Sequence, residues 1–174
     1  MITIGVDPDT KATGIAVVED GKVIRVATAT VPAKWDIDKR TRAMVKRLHE
    51  VLTELKAHVP HLDRGVVEGQ MVYPRERTRP NDLIPLAHIA GAAEAYIGVL
   101  WHVDVIVPKP KDWKGQVPKD IHQRRILAKV GLGPGLDGVP GAESMTRAQR
   151  GHVVDAVGLG ASFQTQCVVR VRRQ

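Results

Sequence analysis

The first thirty residues set the strongest limit on the fold. Ile2-Thr3-Ile4-Gly5-Val6-Asp7 alternates apolar with small or polar side chains, which puts Ile2, Ile4 and Val6 on one strand face and Asp7 on the other. Pro8 stops that strand. Residues 13–19 form a second strand, and Asp20-Gly21 is a two-residue hairpin signal leading into a third strand at 22–30. The chain therefore opens on a three-stranded antiparallel meander. Beyond residue 30, helices and strands alternate. Met44, Val45, Leu48, Val51, Leu52 and Leu55 recur at helical spacing over 38–58, with Asp36 or Asp38 placed to cap the start. Residues 64–69 read as a short buried strand ending in Glu68, 70–80 as an exposed loop, and 82–101 as an apolar helix with Pro85 in its first turn. A fifth strand is expected at 103–107, a basic helix at 119–130 and a final helix at 146–165. Residues 131–141, with five glycines and two prolines, read as a mobile loop.

The order βββ-α-β-α-β-α-α predicts an α/β fold: a mixed five-stranded sheet, three antiparallel strands then two parallel, with helices on both faces. A right-handed crossover places the fourth strand beside the first. Asp7 and Glu68 then become neighbours, because each ends its own strand. The 174 residues fit one domain spanning 1–174.

Composition excludes several function classes. Cys167 is the single cysteine, so there is no internal disulfide, and no Cys/His spacing suits zinc. A reducing cytoplasm is the expected compartment. Met1-Ile2-Thr3-Ile4-Gly5 reads as a strand without a basic n-region, so no signal peptide is expected, and no apolar run is expected to reach the about 20 residues of a membrane span. Charge is the positive clue. There are 26 Lys+Arg against 19 Asp+Glu, a net charge of +7. The excess is segregated: residues 105–130 hold seven basic and two acidic side chains, whereas 81–104 hold three acidic and no Lys or Arg. Segregated positive charge on a small domain points to nucleic acid.

Against this basic background four residues stand out. Glu68 follows two valines in a buried strand, where an unpaired carboxylate is costly. His152 and Asp155 lie three apart on one helix face among Gly151, Val153, Val154, Ala156, Val157 and Gly158. With Asp7 they offer three oxygen donors and one imidazole on separate elements. Mg²⁺ prefers such carboxylate oxygens, Mn²⁺ substitutes for it, and two such ions about 4 Å apart activate water on a phosphodiester. A basic protein with an acidic metal cluster is the expected profile of a nuclease. Arg75, Arg77 and Arg79 with Tyr73, close to Glu68, suit a phosphate clamp with a stacking residue. Trp113 reads more readily as a core residue than as a base-stacking one.

These residues resemble a known family. Ile4-Gly5-Val6-Asp7-Pro8 followed by Thr13-Gly14-Ile15-Ala16-Val17-Val18 is similar to the opening motif of RuvC-type Holliday-junction resolvases, which have an RNase H-like fold. Val66-Val67-Glu68 resembles their second motif and His152-Val153-Val154-Asp155-Ala156 their C-terminal one. The resemblance implies that Asp7, Glu68 and Asp155 bind two Mg²⁺ ions, with His152 a fourth ligand or a positioner of the attacking water. It implies that lysines after the fifth strand contact DNA near the scissile phosphate. Lys114 and Lys119 match best, Lys109 and Lys111 less well. The sequence departs from the family at Asp9, where glycine is usual, and at Gly69, where an acidic residue is frequent.

The expected activity is thus structure-selective hydrolysis of four-way DNA junctions by a homodimer. The alternatives are a less selective branched-DNA or RNA nuclease of the same fold, or a junction-binding protein without catalysis. An actin/Hsp70-like ATP-binding module also opens with a strand, an Asp and a Thr/Gly loop. Its two lobes need about twice this length, and its glycine-rich phosphate loops are missing, so no nucleotide cofactor is expected. The apolar helix 82–101, with Ala87, Gly91 and Ala95 in a row, is the expected dimer interface.

Overall fold

A computed structural model describes residues 1–70, 80–115, 117–133 and 135–164. The strands are β1 (Ile2–Asp7), β2 (Ala12–Glu19), β3 (Lys22–Thr30), β4 (Arg64–Val67) and β5 (Val105–Ile106). The helices are α1 (Ile37–His58), α2 (Pro80–Trp101), α3 (Pro110–Trp113), α4 (Lys119–Lys129) and α5 (Arg147–Gln164). The sheet order is β3-β2-β1-β4-β5. The first three strands pair antiparallel, and β1–β4 and β4–β5 pair parallel. Asp20 and Gly21 both take positive φ, as a primed two-residue hairpin turn requires.

The sheet separates two cores. Ile4, Val6, Ile15 and Val17 pack against α1 and α2 through Met44, Leu48, Leu52, Ile89 and Ile97. On the other face, Ala16, Val18 and Val26 pack against α4 and α5 through Ile126, Leu127, Val153 and Val157. Asp36 caps α1, its Oδ1 accepting from Lys39 N at 2.8 Å.

Four expectations need correction. Residues 131–141 are no free loop. Leu136, Val139 and Ala142 are buried in the second core. Their three-residue spacing turns one side of a glycine-rich stretch inward, and Val26 N donates to the Pro140 carbonyl at 3.0 Å. The fifth strand shrinks to two residues, and it is followed by a short helix, α3, that no sequence signal predicts. Because α2 begins at Pro80, Pro85 lies inside the helix and not in its first turn. Finally, Leu83–Trp101 is long and apolar enough by length and composition to span a bilayer. Its Ile89, Ala93, Ile97 and Trp101 are nevertheless buried in the first core, as in a core helix of a folded domain.

Candidate nucleic-acid cleavage site

The site begins with the seating of α5 on the sheet. A Cβ on Gly5 would lie 2.0 Å from the Ala156 carbonyl oxygen, and one on Gly14 would lie 2.3 Å from that of His152. Only glycine permits backbone to meet backbone so closely. Gly5 in β1 and Gly14 in β2 therefore let α5 settle onto the strands, which brings His152 and Asp155 to the end of the sheet where Asp7 stands. Thr3 secures the far end, its hydroxyl donating to the Gly160 carbonyl at 3.1 Å. Asp9 supports the turn after Asp7. Its Oδ1 accepts from Lys11 N at 2.7 Å and Ala12 N at 3.3 Å, and its backbone exchanges hydrogen bonds with the Thr13 hydroxyl. The departure from glycine at this position is thus a side chain that closes the β1–β2 turn.

Glu68 reaches the same place from β4. Its N–H donates to the Val6 carbonyl at 3.0 Å, extending the parallel ladder one step beyond Val67. Alternation along β4 sends Val67 into the first core and Val66 with Glu68 toward α5. Asp7, Glu68 and Asp155 are all buried, Asp155 with only 2% of its surface exposed.

Three buried carboxylates so close need compensation, since desolvating each costs several kcal/mol. His152 Nδ1 hydrogen-bonds Asp7 Oδ2 at 2.8 Å. Lys114 Nζ stands 2.8 Å from Glu68 Oε1 and 4.0 Å from Asp155 Oδ2. Lys119 Nζ stands 3.1 Å from Asp155 Oδ2. Two neutral donors complete the set: Trp113 Nε1 to Glu68 Oε1 at 3.1 Å, and Gln123 Nε2 to Asp155 Oδ1 at 3.1 Å.

Protonation follows from these neighbours. Burial, and then the Asp7 carboxylate, push Glu68 up to about 7, against the pull of Lys114. The hydrogen bond to Asp7 raises the His152 imidazole, with burial opposing it. For Lys114, burial works to lower the ammonium but is outweighed by Glu68, then Asp155 and Asp7, so it is raised. His122, edge-on to the Trp113 ring at 5.0 Å, is lowered by burial, and its Nε2 has no hydrogen-bond partner among the described residues.

Asp7, Glu68, His152 and Asp155 are therefore brought together from β1, β4 and α5. As they stand, no three His, Cys, Asp or Glu side chains among the described residues form a ready-made metal cage. The carboxylates are turned toward His152 and the two lysines instead. Lys114 and Lys119 join the cluster. Lys109 and Lys111 are exposed and make no ion pair with it; Lys109 sits at the cap position just before α3, where its N–H donates to Asp112 Oδ2 at 3.0 Å. Tyr73, Arg75 and Arg77 lie outside the described residues. Sequence reasoning misses Gln123 altogether and misses the polar use of Trp113. Neither residue type in its local context signals a carboxylate partner.

No protein-family model and no curated protein matches the sequence. Solved structures do match. A structure of Thermus thermophilus RuvC in complex with Holliday junction substrate aligns with a TM-score of 0.71 and 16% identity, covering 97% of this chain and 96% of that one. Another Thermus thermophilus RuvC structure aligns at 0.65 with 16% identity, covering 98% and 97%. With the sheet order, the crossover and the seating of α5 already in place, the chain has the RuvC-type, RNase H-like fold along nearly its whole length.

Proposed function

We propose that the chain is a structure-selective DNA endonuclease that resolves four-way junctions, nicking two strands of like polarity to leave 5′-phosphate and 3′-hydroxyl ends. One observation carries the reading: three buried carboxylates and a histidine converge at one end of the sheet, bordered by lysines, in a basic protein. That arrangement pairs an acidic centre with a surface that attracts phosphate.

The donor set fits divalent ions. Its oxygens are hard ligands, and the negative potential there already gathers two ammonium groups within 4.0 Å. Asp7, Glu68 and Asp155 would hold Mg²⁺ or Mn²⁺, two ions to a site, with His152 either a ligand or a positioner of water. When bound, such ions supply an activated water and charge stabilisation at the phosphate. Because Asp7 occupies Nδ1 of His152, Nε2 is the nitrogen left for water or an ion. Lys114 and Lys119 would neutralise the phosphate as DNA arrives, exchanging carboxylate for phosphate oxygen. Tyr73, Arg75 and Arg77 belong to the proposed DNA contact by sequence position alone.

A two-fold junction calls for a two-fold enzyme. Ala87, Gly91 and Ala95 are exposed along the outer face of α2, between Ile84 at 54% and Val99 at 70% exposure. We assign this stripe to a homodimer interface, with a cytoplasmic DNA-processing role for the assembly.

The test is incubation with a synthetic four-way junction and Mg²⁺, beside linear duplex. Paired symmetric nicks in the junction alone are expected. Asp7→Asn, Glu68→Gln and Asp155→Asn should each abolish them while junction binding persists, because affinity comes from Lys and Arg. Equal cutting of the linear duplex, or none of either, overturns the reading.

A further inference from the structure

Besides the lysines, the two carboxylates nearest the rim are each met by a donor without charge. Gln123 Nε2 faces two acceptors at once, Asp155 Oδ1 at 3.1 Å and the Gly151 carbonyl at 2.9 Å. Turning the amide over would set its oxygen against both, so its orientation is fixed. Gly151 lies one turn before Asp155 on α5. The amide thus ties the Asp155 carboxylate to the backbone of its own helix. It takes Oδ1 and leaves Oδ2, the oxygen that faces Lys114 and Lys119.

Trp113 treats Glu68 in the same way. Its indole packs with both core clusters on the α5 side of the sheet, against Val66, Leu159 and Phe163 among others. A Cβ at Gly158 would come within 2.7 Å of its Cζ3, so the ring lies close on the α5 backbone. Its N–H therefore reaches Glu68 Oε1 from a held ring. These donors differ in kind from the lysines. A neutral N–H has no electrostatic reason to leave for a phosphate, whereas an ammonium has.

We propose that Trp113 and Gln123 are positioning residues that fix the orientation of Glu68 and Asp155 toward a divalent cation. The proposal rests on the reading of those carboxylates as metal ligands. Hydrogen-bond partners of that kind, when lost, typically cost about 10–100-fold in metal affinity.

The experiment is Mn²⁺ binding by calorimetry to the full chain without DNA, for wild type, Trp113→Phe and Gln123→Met. Both substitutions keep most of the volume and remove the donor. A dissociation constant raised about tenfold or more in each is expected, with junction affinity unchanged and the Mn²⁺ needed for half-maximal cutting raised in parallel. A lowered melting temperature with an unchanged Mn²⁺ constant would make the two residues merely structural and overturn the proposal. Gln123→Asn, which draws the amide back by one methylene, gives the same measurement if the Met variant does not fold. Wild type that binds Mn²⁺ but cuts no junction sinks the nuclease reading and leaves this one standing. Wild type that binds no Mn²⁺ overturns both.

Discussion

The site has a floor and a rim, and they are built by different physics. Asp7, His152 and Asp155 stand on β1 and α5, which meet backbone to backbone at Gly5, while Gly14 in β2 admits α5 alongside. Lys114, Lys119, Trp113 and Gln123 come from the stretch spanning α3 and α4. There α3 buries no residue and α4 buries only Ile126 and Leu127. The floor is fixed by steric contact with no slack, so the carboxylates keep their spacing. At the rim the lysines are held by ion pairs, which can be exchanged for others, while Trp113 and Gln123 keep their neutral hydrogen bonds to the carboxylates. The division would suit the proposed nuclease, whose centre has to hold its geometry and also admit a charged polymer.

The contrast breaks most sharply at the floor. Gly14→Val places a branched side chain where the His152 carbonyl already lies 2.3 Å from a Cβ position. Overpacking against backbone costs about 1–3 kcal/mol and at times more, and the loss here should lie at or beyond the upper end. A urea melt reads it directly; a near-normal midpoint would show that α5 can lift off the sheet.

Next in size is a pH effect where floor and rim meet. Glu68 is raised to about 7 in the folded chain, against 4.5 unpaired. A raised pKa means that the folded state holds the proton more tightly. That stability is fully present below pH 4.5 and is lost as pH rises through 7. Metal-free wild type should therefore lose stability relative to Glu68→Gln between those values. Mg²⁺ should return it on the alkaline side, where Glu68 is charged. Parallel melting curves of the two proteins across that range would contradict the assignment.

The smallest effects belong to the rim. Lys114→Ala and Lys119→Ala should each lower the salt dependence of junction binding by about one unit, and Lys119→Ala, at an exposed ammonium, should leave the urea midpoint almost unmoved. A large loss of stability from Lys119→Ala would mean that the rim is structural after all.

Most of the floor is legible in the sequence because its signals are local. Alternation and the Asp20-Gly21 turn point to the meander, and the handedness of crossovers puts Glu68 beside Asp7. The carboxylates show themselves because Asp155 and Glu68 sit among apolar neighbours, where a lone ion is costly. Gln123 cannot be read in that way. A glutamine in a basic helix is unexceptional until the fold sets it over Asp155. Trp113 reads as core, and it is core, but its N–H is used on Glu68. The buried stretch at 136–142 is hidden because glycine density outweighs three apolar residues in a row of threes. The apolar stripe on α2 is visible as composition, and its outward face follows from Ile89, Ala93 and Ile97 pointing inward.

That buried stretch bears on how the protein behaves in a crowd. β3 is an edge strand, and open strand edges invite other chains to add to them. Here Pro140 takes the Val26 N–H, and Gly141 lies so close to the Val26 carbonyl that a Cβ would sit 2.0 Å from its oxygen. At the opposite edge, β5 is only two residues long. Both margins of the sheet are thus poorer templates for strand addition, one interrupted at Val26 and one only two residues long. Copies of the chain at high concentration would be hindered from aggregating through their sheets, and the exposed faces of helices such as α2 are left as open surfaces.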